Sequence, residues 1–286
     1  MKTLKQYFRE AVAGRWAIGH FNFSTGDQLR AIVEAAAELK SPVMVGTSEG
    51  EARFIGYTQA AALVKSYQQE GHAVFINADH HKSWESAKTA MDAAYDTVLI
   101  DASKLPIEEN IKLTKKVVAY AQSVNMGIPV EGELGYLKGS SEVQTKVEIS
   151  TADYTKPEEA KDFVAQTRVD RLAIVFGNIH GIVTEQEEHL DIDTLKKITE
   201  VLPGMPLVLH GASGLLAEEI KMAIQNGIAN VHINTELRVA YHDMLHKELE
   251  EKPKETTPYK YLGPALEEAK KMVKAKLELF GSVGKI

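Results

Sequence analysis

Eight short apolar runs, each followed by a longer amphipathic segment, constrain what this chain can fold into. The runs are residues 16–22, 43–46, 74–81, 97–100, 128–131, 171–176, 207–209 and 230–234. Each has strand length, and each is apolar enough to be buried on both faces, as strands of parallel sheets are. Between them the period changes. Leu29, Ile32, Val33, Ala36 and Leu39 form an i, i+3, i+4 stripe that Ser41-Pro42 ends. Further helices are predicted over residues 58–70, after the cap at Ser83, and over 107–126, 191–202, 217–226 and 236–250, with Pro157 opening another. A charged linker, 251–257, leads to a last helix over 263–280. Eight strands alternating with helices predict a (β/α)8 TIM barrel, with a doubly wound open sheet as the alternative. No break in composition divides the 286 residues. The expectation is one domain, 1–286, with a C-terminal helical extension from about residue 251.

In such a barrel the site is built from the C-terminal ends of the strands. Those ends carry Asn22 and Ser24, Ser48 and Glu49, Asp79-His80-His81, Asp101 and Ser103, and Glu131 and Glu133. The last three carry His180, His210, and a cluster of His232, Asn234 and Thr235. Imidazoles from three separate strand ends, with open positions left over, describe a catalytic zinc site. Adjacent strand residues point to opposite faces, so only one of His80 and His81 is expected to bind metal directly. His20 and His72 read as structural; His189, His242 and His246 read as solvated. No lysine ends a strand, so carbonyl chemistry here calls for a metal as electron sink rather than a Schiff base. The segments Gly211-Ala212-Ser213-Gly214 and Asn234-Thr235 follow the last two strands, where barrels often bind phosphate, and the second opens a helix. The polar stretch 135–150 has the length of a mobile active-site loop.

Composition narrows the partners. The net charge of −7, without a basic cluster, argues against nucleic acid. There is no cysteine, which excludes disulfides and thiolate zinc sites. No run approaches the ~20 apolar residues of a membrane span, and residues 1–10 hold nothing like a signal peptide. A cytoplasmic protein with no membrane partner is expected.

Several segments, in order, resemble the class II, metal-dependent ketose-bisphosphate aldolases. They are Ala78-Asp79-His80-His81, residues 100–110, Val130-Glu131-Gly132-Glu133-Leu134-Gly135, Gly177-Asn178-Ile179-His180-Gly181, residues 207–214, and Ile233-Asn234-Thr235-Glu236-Leu237. The resemblance implies Zn2+ bound by His80, His180 and His210, with Asp101 and Glu133 at positions that can hold a second or displaced metal. It implies Asp79 as the acid/base group at the cleaved carbon–carbon bond and Glu142 as the glutamate that moves the enediolate proton. Gly181, Gly211, Ala212, Ser213, Asn234 and Thr235 match the dihydroxyacetone-phosphate site; Asn22, Ser48 and His232 join them as substrate-binding candidates. Backbone near Gly181 and Gly211 matches a monovalent-cation site, Na+ or K+. The implied reaction is cleavage of a ketose 1,6-bisphosphate, fructose before tagatose, by a homodimer or higher homo-oligomer. Three departures stand out. The loop reads Lys138-Gly139-Ser140-Ser141-Glu142, which puts Glu142 one residue late. Residues 182–185 lack the family's lysine. His232 stands where an asparagine is usual. Two other classes remain as alternatives: a metal-dependent hydrolase on the same barrel, and a non-catalytic sugar-phosphate binding protein.

Overall fold

The computed structural model describes residues 2–124 and 127–286. Eight parallel strands close into a barrel: β1 (Ile18–Asn22), β2 (Val43–Thr47), β3 (Val74–His81), β4 (Thr97–Ile100), β5 (Val130–Leu134), β6 (Arg171–Ile174), β7 (Leu207–Leu209) and β8 (Ile228–Ile233). Each strand pairs with its sequence neighbours, and β8 closes onto β1, with His20 level with His232. The eight apolar runs are therefore the eight barrel strands.

Among the described residues, the elements between the barrel strands depart from the sequence reading in several places. Leu4–Gly14 is a helix held by a Thr3–Gln6 capping box, and it lies under the barrel's N-terminal mouth. There Leu4, Tyr7, Phe8 and Ala11 pack on Ile18, Met44, Phe75 and Ala229. Glu49–Ile55 is a short extra helix ahead of Tyr57–Gln69. The helix after β4 is described over Ile107–Ser123, and Met126, its expected end, lies outside the described residues. Within the expected loop 135–150, Gly139–Gln144 forms a strand that pairs in parallel with His180–Val183. Glycine makes that pairing possible: a Cβ on Gly181 (φ +98°) would lie 2.3 Å from the carbonyl oxygens of both Ser140 and Glu142. The last helix, Gly263–Leu279, packs against Gly26–Glu38 and Thr235–Glu251, the helices that flank the β8–β1 closure. No described helix is long and apolar enough to cross a membrane.

Outward-facing strand residues such as Phe21, Val45, Ile76, Val98 and Leu172 form the apolar layer under the helices. Many inward positions are polar instead. His20, Asn22, Asn77, Asp79, Glu131, Arg171, His210, Asn230 and His232 are all buried. A barrel interior is ordinarily filled by branched aliphatic side chains. Here Arg171, only 1% exposed, forms an ion pair with Glu131 and donates from Nη2 to Asn77 Oδ1 at 3.0 Å. Glu131 Oε1 is 2.8 Å from His210 Nε2. One buried cation thus ties β6 to β5 and β3 and, through Glu131, to the residue after β7.

Two predictions follow from this core. Arg171→Met leaves the Glu131 carboxylate buried without its cation and should lower unfolding free energy by about 3–5 kcal/mol. Urea unfolding measures it, and a loss under about 1 kcal/mol would mean that the pair is not structural. The second concerns Glu188, which accepts from the Ile179 N–H at 2.6 Å. Burial pushes its carboxyl up to about 8, with Glu219 adding to the rise against the opposing hydrogen bond from Ile179. A raised folded-state value means that Glu188's contribution is whole in acid and is lost as pH rises through about 8. Glu188→Gln keeps an acceptor but cannot ionise. Its melting temperature relative to wild type should therefore be higher at pH 9 than at pH 5; an equal difference at both pH values would contradict the burial argument.

Candidate active site

The C-terminal strand ends open onto a cavity of about 700 Å³. Its wall includes Asn22, Ser48, Asp79, His80, His180, Gly181, His210, Gly211, Ser213, His232, Asn234 and Thr235. Twelve of the sixteen residues given a catalytic, metal or substrate role from the sequence thus share one surface. Asp101 and Glu133 stand behind it: Asp101 Oδ2 lies 3.1 Å, and Glu133 Oε2 3.3 Å, from His80 Nδ1. Ala212 is buried in the apolar core rather than on the wall. Glu142 is exposed and off the wall, although its neighbours Ser140 and Ser141 line it.

The end of β3 shows how Asp79 and His80 reach the same cavity. The β3–β4 register shifts between Ala78 and His81, and His80 takes a left-handed φ of 45°. That bulge breaks the strict inward–outward alternation of a strand. Asp79 and His80 therefore both line the cavity, and His81 does not. His81 packs instead between the Asp79 carbonyl (3.2 Å from Nδ1) and the Tyr57 hydroxyl (3.2 Å from Nε2).

Asp79 is held from two sides. Its Oδ2 accepts from Asn22 Nδ2 at 2.9 Å, and its Oδ1 lies 3.2 Å from His232 Nδ1. Burial opposes its charge, but the His80 charge and the His232 contact keep its carboxyl well below the ordinary range. Burial likewise opposes charge on His80, and Asp79, Glu133 and Asp101 reverse it, so its imidazole stays protonated well above the ordinary range. His180 behaves oppositely: burial, with the charges of His80 and His210, lowers it to about 3. His232 is also pushed down by burial and by its histidine neighbours. Its ring stacks on His20 at 3.7 Å and 6°. His20, read from the sequence as structural, thus lies against the site, and burial lowers it to about 4.

The donor set suits a divalent cation. The rings of His80 and His180 lie 5.0 Å apart, and those of His80 and His210 4.6 Å apart. Ligand atoms of Asp79, His80 and His210 fall within 4.8 Å of one another, as do those of His80, Asp101 and Glu133. His180 belongs to neither of these tighter sets. Asp79 Oδ1 and Glu133 Oε2 are buried acceptors whose approaches to His232 and His80 do not form hydrogen bonds. The neutral imidazole of His180 and the buried carboxylate oxygens beside His80 are donors such an ion takes, and its charge would replace the proton that those carboxylates hold on His80.

Sequence reading missed part of the wall. Glu51 lies on it between Asn22 and Asn234, and four cationic residues, Arg53, Lys82, Lys104 and Arg238, line the cavity. Arg238 donates from Nη2 to the carbonyl and hydroxyl of Ser141, and its Nε is buried without a partner. Its position, one turn into the helix that Asn234 caps, was the available signal.

Known proteins similar to this chain show its family. A family described as "Fructose-bisphosphate aldolase class-II" matches residues 2–285. The chain is 37% identical to a fructose-bisphosphate aldolase of Geobacillus stearothermophilus, over 99% of this chain and 98% of that one. It is 37% identical to one of Thermus caldophilus, over 98% of each. Among solved structures, the YdjI aldolase of Escherichia coli K12 superposes with a TM-score of 0.84 at 32% identity, over 99% of this chain and 98% of that one. The chain belongs to the class II fructose-bisphosphate aldolase family and is therefore a metal-dependent carbon–carbon lyase.

Proposed function

We propose that this barrel, working as one domain with its C-terminal helices, cleaves fructose 1,6-bisphosphate reversibly to dihydroxyacetone phosphate and glyceraldehyde 3-phosphate. The observation that carries the reading is the convergence of Asp79 with three imidazoles from separate strand ends on one cavity wall. His80, His180 and His210 would hold a zinc ion, with Asp101 and Glu133 fixing His80 from behind. When bound, zinc supplies a Lewis acid for the ketone oxygen.

The chain's own residues do the rest. Asp79, ionised and held by Asn22, takes the C4 hydroxyl proton as the C3–C4 bond breaks, and returns it in condensation. The bonding electron pair stays on the dihydroxyacetone-phosphate half, whose carbon then takes a proton. Glu142 is the candidate donor, carried by the segment that places Ser140 and Ser141 on the wall. Phosphate would be received by the backbone around Gly181, Gly211, Ala212 and Ser213 and by the backbone of Asn234 and Thr235, where a helix begins. Arg238, with its unpartnered Nε, offers a cation that residues 182–185 do not. A monovalent cation would sit by the backbone of Gly181 and Gly211, near the Ile179 carbonyl that Gly211 closely approaches. A cytoplasmic homodimer is the setting we propose.

The test is a coupled cleavage assay. EDTA should abolish turnover and added Zn2+ restore it. Asp79→Ala should lower kcat by about 10²–10⁴-fold while dihydroxyacetone phosphate still binds by calorimetry. Turnover that survives EDTA, or an Asp79→Ala enzyme at wild-type rate, would sink the reading. Faster cleavage of tagatose 1,6-bisphosphate would move the substrate assignment to the C4 epimer.

A further inference from the structure

Glu51 is a carboxylate on the cavity wall that none of the roles above uses. Part of its bonding is ordinary. It is the third residue of a helix whose N-cap is Ser48: Glu51 Oε2 accepts the Ser48 N–H at 2.7 Å, and the Glu51 N–H reaches Ser48 Oγ at 3.4 Å. Any Glu or Gln at this position closes such a capping box. The remaining contacts are not local. Glu51 Oε2 also accepts from Asn22 Nδ2 at 2.9 Å, and Oε1 is 3.5 Å from Asn234 Nδ2. Asn22 comes from the end of β1 and Asn234 from just beyond β8.

These contacts set the direction of both amides. Asn22 Nδ2 is shared between Glu51 and the carboxylate of Asp79, at 2.9 Å from each. Asn234 turns its Nδ2 toward Glu51, and its Oδ1 is left buried without a partner. With their N–H groups directed at carboxylates, the two amides keep their carbonyl oxygens for a ligand that donates, as sugar hydroxyls do. Only a carboxylate offers acceptor oxygens to both amides at once. A glutamine keeps one oxygen for the cap but presents an NH2 group to one of the two asparagines, two donors facing each other.

We propose that Glu51 is a positioning residue that sets which C4 epimer of the ketose bisphosphate the site accepts, by fixing Asn22 against Asp79 and holding Asn234 as an acceptor. The proposal rests on Asp79 handling the C4 hydroxyl proton. The two epimers present that hydroxyl in opposite configurations, so only one meets a carboxylate held in a single orientation.

The test compares kcat/KM for fructose and tagatose 1,6-bisphosphate in zinc-loaded wild type, Glu51→Gln and Glu51→Ala, with melting temperature and metal content measured alongside. Glu51→Gln retains the helix cap and guards against simple unfolding. The preferred epimer should lose about tenfold or more, the scale of one lost hydrogen bond to a charged group, while the other changes less than about threefold. The ratio should contract at unchanged metal content, and further in Glu51→Ala. An unchanged ratio in both variants overturns the proposal, whether the two rates hold or fall together. So does a wild type that treats the epimers alike. Full cleavage by Asp79→Ala would instead overturn the assignment of Asp79, on which the proposal stands.

Discussion

A buried positive charge in the barrel interior is the constraint on which the rest of the site depends. Arg171 lies where an aliphatic side chain would ordinarily complete a packing layer. A guanidinium so placed must be paired, because an isolated buried charge costs more than the fold can carry. Glu131 pairs it and at the same time receives His210. Asn77 accepts a further N–H and, through its own Nδ2, meets His20 Nε2 at 3.2 Å. His20 stacks on His232, and His232 faces Asp79. Contacts therefore run from the structural centre to the proposed acid/base group, by polar contacts as far as His20 and by ring stacking and a 3.2 Å approach beyond it.

On that foundation the end of β3 does the most to shape the chemistry. A regular strand would place Asp79 and His80 on opposite faces. The register shift and the left-handed His80 put both on the cavity, so the carboxylate proposed to handle the proton stands beside the imidazole proposed to hold the metal. A non-glycine residue held in that conformation costs of order 1–3 kcal/mol and persists only where its surroundings over-determine it. Asp101 and Glu133, both close to His80 Nδ1, supply that determination.

Much of this was legible in the sequence, and the remainder was hidden for physical reasons. Strand and helix periods differ enough to give the barrel, and chemistry at strand ends gave Asp79, His80, His180 and His210 a common wall. The inward network was harder to read. Asn77 and Arg171 lie inside apolar runs, where hydropathy reads only a strand; Asn77 has period-two spacing with Asp79, but Arg171 meets Glu131 only across the sheet. His20 was set aside because a lone histidine carries no partner in one dimension. The parallel pairing of Gly139–Gln144 with His180–Val183 depends on a backbone approach at Gly181 that no side-chain pattern encodes. Glu51 drew no notice in the sequence; it caps its own helix, and its contacts with Asn22 and Asn234 need β1 and β8 brought together by barrel closure.

Three imidazoles that converge only through barrel closure are the proposed ligands of the metal beside Asp79. Anomalous diffraction at the zinc edge from crystals of the zinc-loaded protein tests that assignment most directly. The account predicts one peak within bonding distance of nitrogens of His80, His180 and His210. A peak bonded only to Asp101 and Glu133, or to His80 and His210 without His180, would contradict it.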